Sequence, residues 1–63
     1  MEALLLRVDE AAKLLGIGRS KTYQLIARGE LPHMRVGGSV RVPVEALRDW
    51  IRRRTEANQE VGR

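Results

Sequence analysis

Cysteine is missing from this 63-residue sequence, and aromatics are scarce, with one Trp, one Tyr and no Phe. Without cysteine, neither a disulfide nor a thiolate metal site can staple the core, and the cellular compartment is left open. Long apolar runs are missing too. None approaches the roughly 18 residues of a membrane span, and Leu4-Leu5-Leu6 is too short for a signal peptide. A cytoplasmic protein is expected. The chain is long enough for one domain, which buries only about 60% of its unfolded surface and has no room for a deep active-site cleft.

The groupings that carry catalysis are lacking as well. His33 is the single histidine and has no carboxylate partner at metal-ligand spacing. Ser20 and Ser39 have no histidine at an interpretable spacing. Gly16-Ile17-Gly18 is not a dinucleotide fingerprint, because Lys21 stands where the third glycine belongs. Gly37-Gly38 is not followed by Lys and Ser or Thr, so it is not a phosphate-binding P-loop. Asp9 and Glu10 point about 100° apart on a helix, which suits no shared acid–base task. The sequence reads as no enzyme, with no cofactor and no metal.

What is present is positive charge in one place. The formal net charge is +4. Between Arg19 and Arg41 lie five cations (Arg19, Lys21, Arg28, Arg35, Arg41) and one anion, Glu30, while the remaining seven cations and seven anions cancel. All the excess therefore sits in the middle of the chain. A solvated surface would account for some of it, but concentrated charge favours a polyanionic partner.

The central stretch is Gly18 to Gly29. Its spacing predicts a helix from Arg19 to Arg28 with Thr22, Leu25 and Ile26 on the inner face. Ser20, Lys21, Gln24 and Arg28 fall on the outer face, and these are side chains that a major-groove helix uses on phosphates and base edges. Tyr23 lies to the side, with its hydroxyl placed for phosphate. Gly29 fits the left-handed position that ends a helix.

An earlier helix is predicted from Val8 to Leu15, since Val8, Ala11, Ala12 and Leu15 share one face. Asp9 and Glu10 suit its first turn, and Glu10 can reach back to the Arg7 backbone N–H as half of a capping box. Gly16-Ile17-Gly18 is the turn between the helices. Two short helices joined by three glycine-containing residues describe a helix-turn-helix, although any small helical hairpin shares that spacing.

Met1 to Arg7 includes a short strand at Leu4–Leu6. After Pro32, which cannot be helical here, residues 33–36 and 40–42 read as a β-hairpin. A three-residue loop, Gly37-Gly38-Ser39, would place Met34, Val36, Val40 and Val42 on one face and both Arg35 and Arg41 on the other. That register is expected, because the pleat rewards one apolar face. A third helix is expected from Pro43, at its first position. Val44, Leu47, Trp50 and Ile51 form its stripe, with Trp50 as core anchor. Residues 55–63 lack periodicity and read as a polar, disordered tail, so the folded domain spans 1–54.

Taken together these residues are recognisable. Val8-Asp9-Glu10-Ala11-Ala12-Lys13-Leu14-Leu15-Gly16-Ile17, Arg19-Ser20-Lys21-Thr22-Tyr23, Gly29-Glu30-Leu31-Pro32, Arg35-Val36-Gly37-Gly38 and Arg41-Val42-Pro43, followed by Leu47 and Trp50, resemble the excisionase-family DNA-binding domain. That domain is a small MerR-like winged helix-turn-helix. The resemblance runs from about Leu5 to Ile51. It implies a mostly α fold with a two-stranded wing and a C-terminal helix. The second helix would enter the major groove, and the wing, with Arg35, Gly37, Gly38, Ser39 and Arg41, would meet backbone or minor groove. Two positions depart from the pattern. Arg7 and Gly18 stand at helix N-caps where the family commonly has Ser or Thr.

The resemblance further implies double-stranded DNA as partner and a nucleoid-associated protein that directs recombination with an integrase or recombinase. Alternatives are a small stand-alone transcription regulator and, in another class, an adaptor for an acidic protein partner. An antitoxin or other inhibitor is a further class. With no long C-terminal dimerisation helix or effector domain expected, the chain should sense no small-molecule effector. Cooperative contacts between copies on DNA are expected, the wing of one meeting Glu2, Asp9 and Glu10 of the next.

Overall fold

The computed structural model describes residues 3–61, and their side chains through 57; Glu2, Gly62 and Arg63 lie outside the described residues. Six elements follow in order: β1 (Leu5–Leu6), α1 (Val8–Leu15), α2 (Arg19–Ala27), β2 (Met34–Val36), β3 (Ser39–Pro43) and α3 (Val44–Val61). The strands form one antiparallel sheet in the order β1-β3-β2, one strand more than the expected two-stranded wing.

Helix α1 occupies the predicted residues. Glu10 Oε1 accepts the Arg7 backbone N–H at 2.8 Å, while Arg7 has no acceptor with which to cap in return. Left-handed glycines close both of the first two helices, Gly16 after α1 and Gly29 after α2, each at φ 73°. At the second, the Gly29 N–H reaches the Ile26 carbonyl at 3.0 Å and the Glu30 N–H reaches Leu25 at 2.9 Å, a Schellman closure. Arg28 is the residue that caps α2, not its last helical one.

The inner face of α2 is fixed by burial. Thr22 is fully buried and its hydroxyl donates to the Gly18 carbonyl at 2.9 Å, so no polar atom is orphaned there. Ile26 joins Leu6, Val8, Ala11, Leu31, Val42 and Leu47 in the core, with Leu25 and Leu15 packed against it. Every element supplies a residue to this cluster except β2, all of whose side chains are exposed.

That exception overturns the expected hairpin register. Val36 pairs with Ser39, Arg35 with Val40 and Met34 with Arg41, so the loop is the two residues Gly37-Gly38 and Ser39 opens β3. Both glycines have positive φ, 56° and 87°, as a type I′ turn requires; that turn matches the twist of the strands it joins. The argument from a single apolar face fails because β2 has no buried face to reward. Opposed residues share a side, so Arg41 lies with Met34, Val36 and Ser39, and Arg35 lies with Val40 on the side of Val42. The two arginines are on opposite faces, not together, and Met34 and Val36 are 44% and 46% exposed.

Four further expectations are corrected around α3. Pro43 closes β3, paired with Leu5, and the helix begins one residue later, where the Val44 N–H bonds the Leu4 carbonyl at 2.9 Å. The helix continues through Val61, across most of the segment read as a disordered tail. The expected absence of a long C-terminal helix is likewise wrong, since α3 has 18 residues. Trp50 is half-buried against the core, not sunk within it. Its indole N–H donates to the Glu30 carbonyl at 2.7 Å, and the Arg54 guanidinium lies 4.8 Å from the ring centroid. Leu47 is the buried residue of the stripe, and Ile51 is 41% exposed.

Candidate nucleic-acid interface

With Thr22 and Ile26 facing inward, the helical period turns Ser20, Lys21, Gln24 and Arg28 outward, and all four are exposed. The side chains of Ser20, Lys21 and Gln24 have no hydrogen-bond or ion-pair partner among the described residues. They form a row of unengaged donors and acceptors over the first six of the nine residues of α2, toward the end that a recognition helix presents to base edges. Arg28 stands at the other end, 3.9 Å from Glu30. Tyr23 is 45% exposed, so its ring flanks the row instead of packing below it.

The wing stands beside α2. Between them, and beneath the start of α1, runs an open cleft of about 320 Å³. Its polar lining is Arg7, Asp9, Arg19, Tyr23, Ser39 and Arg41, over Val8 and Val40. Three arginines thus share one depression with a single acidic residue. Arg19 Nε is 3.1 Å from Asp9 Oδ1, both side chains being more than half exposed. Arg41 is half-buried and donates to the Val40 carbonyl at 2.9 Å. The Arg7 guanidinium has no partner among the described residues.

Of the residues singled out from sequence, Arg19, Tyr23, Ser39 and Arg41 are brought together in this cleft, while Ser20, Lys21 and Gln24 share the outer row of α2. Gly37 and Gly38 form the exposed tip of the wing. Arg35, on the opposite face of the wing from Arg41, does not line the cleft, and neither does Arg28. Sequence reasoning missed Arg7 and Asp9 as site residues. The signal was available in Arg7, an arginine at an N-cap, where the backbone favours a small acceptor side chain.

The basic run at the end of the domain is less free than it looks. Asp49 pairs with both Arg52 and Arg53. The hydrogen bond from Arg52, aided by the nearby charge of Arg53, lowers the Asp49 pKa below its usual 3.8.

A family model described as a helix-turn-helix domain matches residues 5–55. A probable excisionase of Saccharopolyspora erythraea is 50% identical over 50 residues, covering 79% of this chain and 51% of that protein. An excisionase of Streptomyces ambofaciens is 45% identical over 47 residues, covering 75% of this chain and 76% of that one. The chain belongs to the excisionase family of helix-turn-helix DNA-binding domains. A putative DNA-binding protein of Mycobacterium tuberculosis is 43% identical over 47 residues, covering 75% of this chain and 60% of its own. The chain therefore spans about half the length of the Saccharopolyspora relative and most of the Streptomyces excisionase. No solved structure matches. In this excisionase-family fold the helix-turn-helix is α1–α2 and the wing is β2–β3.

Proposed function

We propose that this chain binds duplex DNA sequence-specifically and acts as a recombination directionality factor. It occupies repeated sites and bends the DNA on which an integrase works. The observation that carries the reading is the unengaged row Ser20, Lys21 and Gln24 on a helix whose inner face is locked into the core. A polar face held rigidly, without partners and beside a basic wing is suited to a groove lined by phosphates and base edges. Lys21 and Arg19 meet backbone, Gln24 reads a base edge, and the tip at Gly37-Gly38 brings Arg35 and Arg41 to the adjacent backbone or minor groove. The cytoplasmic nucleoid is where such a protein works, and no helix among the described residues is long and apolar enough to cross a membrane.

The test is a footprint on DNA flanking the protein's own gene, followed by an excision assay with a candidate integrase. Protection of repeated sites, with excision dependent on the chain, is expected. Protection without any effect on excision would leave a transcription regulator; no protection anywhere would remove the DNA-binding reading.

A further inference from the structure

We infer that the cleft between α1, α2 and the wing seats one phosphodiester group of duplex DNA, and that Arg7 is the cation that completes it. The inference rests on the DNA-binding reading and adds a site to it on the first helix. Arg7 stands at the N-cap of α1 with extended backbone (φ −70°, ψ 158°), and it makes no side-chain cap. Its backbone N–H is already taken by Glu10, so the residue does nothing for the helix that a serine would not do better. Arg7 instead lines the cleft with Arg19 and Arg41, and its guanidinium is the one of the three with no partner among the described residues. Arg19 is turned by Asp9, and Arg41 by the Val40 carbonyl.

Three guanidinium groups against one carboxylate leave an excess charge of two in an open polar depression. Tyr23 and Ser39 add hydroxyls at its wall. Planar guanidinium forks match phosphate oxygens in geometry as well as charge. The cleft also joins the two elements expected to straddle a strand of duplex, α2 and the wing. A backbone phosphate between major-groove helix and wing fits that place, and free phosphate shares the same chemistry.

The decisive variant is Arg7→Ser, which removes the cation and supplies a helix cap, so failure to fold is not the expected complication. Its melting temperature should rise. Its log–log salt slope on duplex should fall in magnitude by up to about 0.9, the full share of one neutralised phosphate. Affinity at 0.1 M salt should fall by up to about eightfold, the counterion-release share of that contact, equally on specific and random duplex. Lys13→Ser, an exposed cation on α1 outside the cleft, should leave the slope unchanged. Scanning single neutral methylphosphonates along a duplex should find one position that weakens the wild type more than it weakens Arg7→Ser, whose Arg19 and Arg41 still meet the same group.

An unchanged slope in Arg7→Ser, or an equal change in Lys13→Ser, would overturn the cleft assignment while wild-type binding kept the DNA reading intact. Wild-type protein that binds no duplex would sink both. Inorganic phosphate that binds the cleft while every methylphosphonate duplex behaves alike would make it a free-phosphate site and overturn the assignment.

Discussion

At the scale of single residues, the interface divides into side chains that should discriminate sequence and side chains that should not. Gln24 is exposed and unengaged near the middle of α2. If its amide reads an adenine edge, Gln24→Ala costs about 1–3 kcal/mol on the preferred site and little on random DNA, measured by competition binding on both. Equal losses on the two duplexes would make Gln24 a backbone contact. Asp9 works in the opposite direction. It is the one carboxylate of the cleft, paired with Arg19 across an exposed 3.1 Å contact, and such pairs contribute about 0–1 kcal/mol to folding. Asp9→Asn should therefore leave the melting temperature almost unchanged and tighten binding to all duplexes several-fold. Weaker binding would show that Asp9 positions Arg19 rather than competing with phosphate. Trp50 is a residue of stability alone. Half-buried, bonded to Glu30 and covered by Arg54, it should cost about 2–3 kcal/mol as Trp50→Ala, somewhat under the 3–5 of a fully buried aromatic. That is a large share of the roughly 3–9 kcal/mol available to a domain of this length, and chemical denaturation measures it directly.

At the scale of elements, what was readable in the sequence depended on whether burial enforced a pattern. In α1 and α2 it did. Val8, Ala11 and Ala12, then Thr22 and Ile26, are buried, so the 3.6-residue period marks their faces and the closing glycines mark their ends. In the hairpin it did not. β2 carries no buried residue, so the side-chain alternation holds no register information and the Gly37-Gly38 turn decides instead. The end of α3 was invisible for a related reason, since Thr55, Glu56 and Ala57 are all exposed and leave no apolar stripe. Good helix formers such as Arg, Glu, Ala and Gln extend it without one. Two measurements probe these elements. A Cβ at Gly38 would meet no atom within 4 Å, so Gly38→Ala suffers only its φ of 87°, about 1–2 kcal/mol. The loss should show as faster amide exchange in 34–41 while the helices stay protected. Asp49 supplies a pH signature for α3. Its lowered pKa means that its contribution is present above the usual 3.8 and is lost as pH falls through the folded value. Wild type and Asp49→Asn should thus differ in melting temperature at neutral pH and converge in strong acid. A gap that persists in strong acid would contradict the pairing with Arg52 and Arg53.

At the scale of the whole molecule, one recognition helix and one wing read too few base pairs for high specificity, because each contributes only about 1–3 kcal/mol. We therefore expect several copies to gather on one functional site. Sedimentation of the free protein should return the mass of one chain, and gel shifts on the natural site should show stepwise complexes whose DNA is progressively bent. A stable dimer in free solution would contradict this. Affinity itself should be electrostatic, carried by Arg7, Arg19, Lys21, Arg35 and Arg41, while Arg28 stays with Glu30 at the far end of α2. The measurement that tests this account most directly is the salt dependence of duplex binding by the wild-type chain. With Arg7, Arg19 and Arg41 sharing the cleft phosphate, and Lys21 and Arg35 each meeting another, three neutralised phosphates predict a log–log slope of about −3; measurable binding with a slope near zero would contradict it.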